Sequence, residues 1–551
     1  MPKTIQVQQA LFDVVRRRTL IEVVFPVLGG ELRAEVMDMR EYWQPQAFAK
    51  RMVELGFPLP PDRDEVARLH AALRRDAERA AADPARRVEA TPLQGWHGET
   101  AFVFGDRVIP LNSNVVFQPA PGIPYPRAAR RGTIQGWRAG VGAALPGSSR
   151  LVLAACAALA TPLLAVWDGP VAGFGFDFSG PSRSGTTSAL RVARSTLGPP
   201  EPDGWNVTRA GAAQYLLGHR GLPVILDGTT AARPGARDAP SIVRQLTDLV
   251  AGGRPDIVHA GATGALERAG VTFQSLLLSS TEGTLRGRPR GHQARLIEVP
   301  APTEGFGVID NPHLCSPPVS DAASAGRWIE ALVRAAEAHH GHAFPRFVFR
   351  LTGLGDALGA EVRALADAFR AATPEADADP WARSLRDCFA LVHAAGALAC
   401  RFGVFPFEEA VVEDCLRRCL RDALAHAAAP ATALAEADAG AVRAWLGASW
   451  AGRLDASRDG LDGASAAGGQ ILVDTDADGE RVCLVRKEAL AGLVPEPGRL
   501  EAALRLIAAR GGLRPGEAEG KLTRQKRLAD GTKPRFLFFT EAFARPGAPE
   551  A

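Results

Sequence analysis

The sequence predicts an α/β fold, and three stretches carry that prediction. A short apolar strand, a loop bounded by glycines and the start of a helix follow one another within 174–190. A second continuous apolar strand, over 222–228, ends close to an aspartate, which is typical of a central parallel strand. Residues 320–430 carry repeated helical periodicity. Strands of this kind that alternate with helices predict a parallel sheet covered by helices.

Composition bounds the class of protein before any motif is considered. The chain has 551 residues, so several domains are expected. Its hydrophobic content of 46%, with 23% charged residues and a net charge of +3, is ordinary for a globular protein. A charge this close to neutral gives no bulk attraction to nucleic acid, so any DNA contact must come from a local basic patch.

Three features bear on where the protein works. The longest apolar run, over 151–166, contains Pro162 and is too short to span a bilayer comfortably, so it predicts a buried helix. The seven cysteines show no zinc-binding spacing and are expected to be reduced thiols. The first residues lack the pattern of a secretory signal. Together these features predict a cytoplasmic protein without a membrane partner.

The loop after the first strand has the frame G-x-x-x-x-G of a phosphate-binding loop, from Gly180 to Gly185. Backbone N–H groups at a helix N-terminus surround an anion only where glycines permit a close approach. A lysine normally follows that frame, but this chain has Thr186 there and no lysine between Lys50 and Lys487. The residues predicted to line a nucleotide site are Gly180, Ser182, Arg183, Ser184, Gly185, Thr186, Thr187 and Ser188.

The second apolar strand supplies a predicted metal-facing acid, Asp227, which would share Mg²⁺ with the Thr187 hydroxyl. In ATPases with an additional strand a glutamate that orients the attacking water usually comes next, but this chain has Gly228. A third apolar strand, over 273–278, leads into polar residues, of which Ser280 is a catalytic candidate. The sequence therefore predicts a phosphate cradle in which two catalytic positions have been changed.

The regions before and after this core are predicted from local patterns. An N-terminal α+β region, 1–130, begins with a helical pattern and continues into a hairpin with strands over 20–28 and 31–37. The core then spans 131–310, and a helical region spans 311–430.

The C-terminal part is predicted to hold a linker and a DNA-binding domain. Residues 431–468 are rich in alanine and end in a Gly/Ser/Ala-rich stretch, which predicts a linker. Residues 469–551 have the strand–helix–helix–hairpin order of a winged helix. Its basic residues would contact phosphates. These DNA-binding candidates are Lys521, Arg524, Lys526, Arg527, Lys533 and Arg535.

Five segments lie in the order and spacing of a known family: GWRAGVGAAL, GPSRSGTTSALRVARSTLG, GWNVT, VILDG and GHQARLIEVP. Over roughly residues 10–420 the chain resembles the helicase-like P-loop family catalogued as domain of unknown function 927 (DUF927). Its members are often encoded on mobile elements and phage-like islands. The resemblance implies an additional-strand (AAA+-like) P-loop NTPase core, a homo-oligomer such as a hexameric ring, and action on DNA.

The resemblance also implies roles for particular residues. Arg295 matches a family arginine that would reach a neighbouring subunit's nucleotide as a finger, with a surface salt bridge as the alternative. His259 and Arg268 fall where helicase-like relatives place a hairpin that faces DNA. Relatives have lysine and glutamate where this chain has Thr186 and Gly228, so the resemblance covers the scaffold and departs at the chemistry.

Three functional hypotheses remain open on the sequence. The first is a degenerate helicase-like ATPase homologue that binds DNA, assembles as an oligomer or with a partner protein, and hydrolyses ATP weakly or not at all. The second is an active ATP-dependent helicase with a rearranged site, in which Arg183 or Arg191 replaces the lysine. The third is a protein-interaction scaffold without nucleic acid. The cofactors are ATP and Mg²⁺ under the first two and none under the third.

Overall fold

The computed structural model describes most of the chain, with short gaps, and its elements fall into two compact units. The described residues are 4–169, 172–205, 209–228, 239–253, 271–282, 294–302, 305–428, 431–455, 471–476, 479–490, 493–494, 497–516, 521–528 and 531–545. The first unit is built from residues up to 282 together with 290–423, and the second mainly from 424–551.

The first unit contains thirteen strands among the described residues. They are β1 Gln6–Asp13, β2 Arg18–Pro26, β3 Leu32–Asp38, β4 Arg87–Thr91, β5 Gly95–His97, β6 Ala101–Phe104, β7 Arg107–Ile109, β8 Val115–Phe117, β9 Gly175–Gly180, β10 Asp203–Gly204, β11 Val224–Asp227, β12 Leu277–Glu282 and β13 Leu296–Pro300.

The helices of this unit stand between and after its strands along the chain. They are α1 Met39–Tyr42, α2 Pro45–Glu54, α3 Arg63–Ala82, α4 Ile134–Gly140, α5 Ser149–Ala160, α6 Thr186–Leu197, α7 Arg209–Gly218, α8 Ala239–Gly252, α9 Ala322–Ala338, α10 Ala343–Thr352, α11 Ala357–Ala372, α12 Pro380–Arg401 and α13 Glu409–Ala428.

The N-terminal part of the first unit is a five-stranded sheet in the order β3-β2-β1-β4-β8. The predicted hairpin is confirmed, because β2 pairs antiparallel with β3. The predicted helix at the start of the chain is wrong, because those residues form β1. This strand pairs with β2 on one side and β4 on the other. Its polar and apolar residues alternate in burial for much of its length, which suits a strand with one solvated face.

The central sheet is parallel throughout, in the order β10-β11-β12-β9-β13. The predicted α/β class with a parallel sheet is therefore confirmed, and so is a helical region, formed by α9 to α13. The third apolar strand begins at Leu277 rather than at Phe273, so Ser279 and Ser280 lie within β12 and not after it.

Helix α5 is the buried helix that the apolar run predicts. All twelve of its residues are buried, including Arg150, because α6 and α12 pack against it. The Arg150 side chain is only 1% exposed and needs partners that match its charge. Its guanidinium donates to the Asp310 carboxylate at 3.2 Å and, through Nε and Nη2, to the Pro300 carbonyl at 3.0 and 2.8 Å. Asp422 on α13 forms a further ion pair with it.

The second unit is built on a sheet with the order β14-β15-β16-β19-β17, and β18 also pairs with β19. Its elements are α14 Ala431–Ser449, β14 Leu454–Asp455, β15 Leu472–Thr475, β16 Arg481–Val485, α15 Lys487–Leu490, α16 Pro497–Ala509, β17 Leu513–Arg514, β18 Thr523–Gln525, β19 Arg535–Thr540 and α17 Glu541–Ala544.

The linker predicted over 431–468 is wrong for its first half, which is helix α14. Val442 and Leu446 of this helix are fully buried in one core with Leu504 of α16 and Phe539 of β19. The alanine-rich composition suggested a linker, but alanine is also the strongest helix former, and the buried residues recur at helical spacing.

Within the described ranges, no helix is long and apolar enough to cross a membrane.

We predict that Asp310→Ala lowers the free energy of unfolding by about 3–5 kcal/mol, because it leaves the Arg150 guanidinium buried without the more buried of its two carboxylate partners. Asp367→Ala is the control, because Asp367 forms an ion pair with Arg370 but is 69% exposed, so its loss should cost at most about 1 kcal/mol. Urea denaturation followed by circular dichroism measures both variants. Equal costs for the two variants would contradict the role assigned to the buried pair.

Candidate functional site

The glycine-bounded loop joins the carboxyl end of β9 to the first residue of α6. Gly185 immediately before the helix has φ 93°, a left-handed conformation that favours glycine. A Cβ at this position would lie 2.8 Å from Val308 Cγ2. The loop is also held from outside, because the Val308 N–H donates to the Ser184 carbonyl at 2.7 Å. The loop conformation therefore depends on a segment more than a hundred residues away.

The N-terminus of α6 is suited to an anion. No side chain caps this helix, and its first residues, Thr186 and Thr187, are only half-buried. The end of a helix carries a partial positive charge from its unpaired N–H groups, which bind phosphate where nothing else caps them. The Ser184 hydroxyl lies in the same loop, buried and without a hydrogen-bond partner in the described part of the chain. A buried hydroxyl of this kind is usually hydrogen-bonded to a ligand or to an ordered water molecule.

Three polar side chains meet at the ends of neighbouring elements. The Thr187 hydroxyl of α6 donates to Asp227 Oδ1 at 3.1 Å, and the Ser280 hydroxyl of β12 donates to the same oxygen. The Gly228 N–H in turn donates to Ser280 Oγ at 3.2 Å. The structure thus brings together Thr187, Asp227 and Ser280, three candidates that the sequence places far apart.

The donor set fits Mg²⁺ in type. A carboxylate and a hydroxyl are hard oxygen ligands, and Mg²⁺ is commonly held by one or two protein oxygens together with substrate phosphates and water. Within the described residues there is no cluster of three or more His, Cys, Asp or Glu side chains that could hold a metal ion unaided. A cation at this site would be held by the Asp227 carboxylate and the Thr187 hydroxyl, with water or phosphate oxygens as its other ligands.

The two positions at which the sequence departs from the family pattern, 186 and 228, lie at this same site. Thr186 occupies the first helical position, and Gly228 follows Asp227 with φ 70°. Neither residue carries charge. Arg183 is exposed in the loop with φ 66°, and Arg191 lies one turn further along α6 with a buried Nε that has no hydrogen-bond partner among the described residues. These are the arginines closest in sequence to Thr186, which stands where the loop motif has lysine.

Sequence reasoning missed a buried polar pair beneath the loop. Asp177 of β9 and Ser279 of β12 are both 0% exposed, and the serine hydroxyl donates to the aspartate. They link the two adjacent strands, where Asp177 lies three residues before Gly180 and Ser279 lies directly before Ser280. The signal was available, because an aspartate stands in the middle of an otherwise aromatic and glycine-rich strand. A buried carboxylate is rare unless it is paired.

Arg295 has a partner within its own chain. Its Nη1 lies 2.7 Å from Asp248 Oδ1 of α8, and the arginine side chain is 47% exposed. This is the surface salt bridge that was the alternative to a finger, although an exposed pair of this kind exchanges partners at little cost. His259 and Arg268 lie outside the described residues.

The basic residues of the second unit lie on and around the β18–β19 hairpin. Lys526 pairs with Asp474 of β15, and Arg524 donates to the Pro515 carbonyl at 2.6 Å and lies over the Phe538 ring. Lys521, Arg527, Lys533 and Arg535 are exposed, and no ion pair engages them within the described ranges. Four of the six candidates are thus exposed and available to a polyanion. The other two, Arg524 and Lys526, make contacts within the second unit.

The fold and the site together define the class: an α/β protein with a parallel sheet and a glycine-bounded loop at the start of a helix. Comparison with known proteins agrees with this class. The structure is similar to a solved structure described as "SCCmec type IV Cch - active helicase", with a TM-score of 0.56 and 14% sequence identity over 98% of this chain and 93% of that one. The two proteins share a fold.

The sequence also matches a family directly. The family described as domain of unknown function DUF927 matches residues 5–247, a segment that includes the loop, α6 and Asp227. This segment is therefore similar to the DUF927 family, as the sequence resemblance indicated. No curated protein matches the chain.

We predict that Gly185→Ala destabilises the first unit by about 2–4 kcal/mol, because it combines left-handed backbone strain with a clash against Val308. Gly403→Ala is the matched control. Gly403 has φ 65° and nothing within 4 Å of its Cβ direction, so strain alone should cost about 1–2 kcal/mol. Urea denaturation measures both, and a Gly185 variant no worse than the control would contradict the packing of Val308 on the loop.

Proposed function

We propose that the protein is a degenerate helicase-like P-loop ATPase homologue of a mobile-element or phage-like system. It binds DNA and assembles as an oligomer, such as a hexameric ring, or with a partner protein, and it hydrolyses ATP weakly or not at all. One observation carries the proposal: the Thr187 hydroxyl lies 3.1 Å from Asp227 Oδ1 beside a helix N-terminus. The lysine and the glutamate expected at this site are replaced by Thr186 and Gly228.

The strand order supports an additional-strand P-loop core. In that class one strand is inserted between the strand that precedes the phosphate loop and the strand that carries the metal-facing acid. Here β12 lies between β9 and β11, and all three strands are parallel. Ser280 on the inserted strand contacts Asp227, which is where a polar residue could sense a γ-phosphate.

The remaining chemistry supports nucleotide binding better than turnover. The N–H groups of α6 and the Thr187 and Asp227 oxygens would hold ATP and Mg²⁺, and Mg²⁺ would offset phosphate charge. The missing lysine removes a charge-assisted contact worth about 1.5–3 kcal/mol. The missing glutamate removes a group that orients water, a role worth about 10²–10⁴ in rate.

The active-helicase alternative depends on Arg183. This side chain is exposed in the loop itself, and an arginine fork binds phosphate well. In this alternative the guanidinium folds onto the nucleotide and supplies the charge of the absent lysine. The scaffold alternative needs no nucleotide. In that alternative Gly185 is required only because the loop packs closely against Val308.

DNA binding is proposed for the β18–β19 hairpin, as the wing of a winged helix. Its exposed basic residues provide several phosphate contacts, while Lys526 and Arg524 position the hairpin on its sheet. For an oligomer, Arg295 is the proposed finger, released from Asp248 when a neighbouring subunit's nucleotide offers a stronger anion.

We predict that the wild-type chain binds a fluorescent ATP analogue saturably with Mg²⁺ but turns ATP over slowly. The double variant Thr186→Lys, Gly228→Glu should raise the hydrolysis rate by about 10²–10⁴, because both lost groups return to an intact cradle. Anisotropy and phosphate release in the same tube measure both quantities.

The control for this experiment adds Asp227→Asn to the double variant, which should abolish the gained hydrolysis. Wild-type turnover as fast as that of the double variant would support the active helicase instead. If no variant binds nucleotide, the scaffold alternative stands.

We predict that Arg527→Ala with Lys533→Ala weakens binding to duplex DNA and lowers the salt slope of log K by about 1.8, because two phosphate contacts are lost. The control is Arg505→Ala on α16 with Arg510→Ala immediately after it. Their side chains are 64% and 58% exposed and pair with glutamates. Anisotropy at several salt concentrations measures the slopes. Equal slopes for the two double variants would contradict the wing assignment.

A further inference from the structure

A cleft on the first unit, away from the nucleotide site, combines positive charge with exposed apolar surface. Its volume is about 740 Å³, within the range of small-molecule and nucleotide pockets. One wall is β7 together with the three residues that follow it, 110–112. The other wall is the first part of α10, and Arg130 and Ile134 lie at its base.

The walls of this cleft are rigid. The Phe344 ring of α10 packs on the Phe104 ring of β6 with centroids 5.1 Å apart, and β6 pairs with β7. At the base, residues 131 and 340 form a β-bridge, and the His342 ring bonds to the Arg131 carbonyl at 3.1 Å. The cleft is therefore formed before any ligand arrives, so binding costs little reorganisation.

Its charge is positive and largely uncompensated. Arg107, Arg130 and Arg346 line the cleft and no acidic residue does. Arg107 lies 3.5 Å from the carboxylate of Asp106, which is 86% exposed, and neither other arginine has an ion pair within the described ranges. Burial and the neighbouring Arg107 lower the pKa of Arg130, and burial followed by the Arg130 charge lowers the pKa of His342. The three guanidinium groups repel one another, which favours the binding of an anion.

Its apolar groups are unusually exposed. Leu111 is 89% exposed and Phe349 is 50% exposed, and both face this cleft. Asn112 adds an amide that can donate and accept hydrogen bonds. Guanidinium groups beside an open aromatic face are the elements with which proteins hold single strands: the cations contact phosphates and the ring stacks on a base.

We propose that this cleft binds one or two nucleotides of single-stranded DNA, with Arg130 and Arg346 on the phosphates and Phe349 stacked on a base. The proposal rests on the proposed action on DNA and adds the site on the first unit that holds the strand. An acidic amphipathic helix fits less well, because such a helix needs apolar anchors over about two turns and the cleft exposes only two large apolar side chains.

The test is binding of a fluorescein-labelled oligothymidine to the full chain, followed by anisotropy at several salt concentrations. Arg130→Ala with Arg346→Ala should weaken binding about tenfold or more and lower the salt slope by about 1.4, as two lost contacts to a single strand require. The matched control is Arg327→Ala with Arg334→Ala on α9, which removes two exposed arginines and should change neither quantity.

A second readout identifies the contact. With 5-iodouracil in the strand, ultraviolet light should cross-link the tryptic peptide of residues 347–350, and Phe349→Leu should remove the cross-link and weaken binding about tenfold. Unchanged affinity and slope in the arginine variant, with no cross-link on this peptide, would overturn the proposal and leave an acidic protein as the occupant. Displacement of the strand by thymidine monophosphate at equal nucleotide concentration would assign the cleft to free nucleotides and overturn it too.

The outcome separates this proposal from the proposed function. If the Arg527 and Lys533 variant loses strand binding while the cleft variant keeps it, the cleft proposal fails and DNA binding by the protein stands. If the wild-type chain binds neither single-stranded nor duplex DNA, the DNA-binding part of the proposed function fails with it.

Discussion

The buried ion pair between Arg150 and Asp310 is the interaction on which the first unit depends. An arginine at 1% exposure in an apolar helix is tolerated only because two carboxylates and a carbonyl satisfy its donors. The same contacts fix the segment around Asp310, and the neighbouring Val308 bonds to Ser184 and packs over Gly185. The Ser148 hydroxyl also donates to the Val308 carbonyl at 2.6 Å. The glycine-bounded loop is thus shaped by the core below it.

That dependence holds the loop in its conformation independently of any ligand. Glycine at 185 is required by a left-handed φ and by the closeness of Val308, whether or not a nucleotide ever binds. Gly228 has φ 70°, which also favours glycine, whereas Thr186 at the first helical position has no such backbone requirement. The backbone therefore accounts for the glycines at 185 and 228, but it does not account for the threonine at 186.

The shared fold with a helicase at 14% identity is consistent with this division. Parallel strands and buried helices tolerate many sequences that keep volume and pattern, so a fold persists when few residues are conserved between two proteins. Function, by contrast, depends on a handful of groups at particular sites rather than on the fold as a whole. For that reason the likeness supports the scaffold, and the activity has to be argued from Asp227, Thr187 and their neighbours.

The sequence alone determined the features that local chemistry dictates. These are the glycine-bounded loop, the buried helix α5, the apolar parallel strands and the β2–β3 hairpin, because glycine spacing and apolar periodicity act within a few residues. Tertiary structure alone decided β1, whose residues also suit a helix but pair with β2 and β4, and α14, whose alanines become core against α16. It also decided the Asp177–Ser279 pair, the meeting of Thr187 with Asp227 and Ser280, and the cleft between β7 and α10. Each of these features joins residues that are distant in the sequence. A local sequence pattern does not indicate which distant side chain will form an ion pair or a hydrogen bond with a given residue.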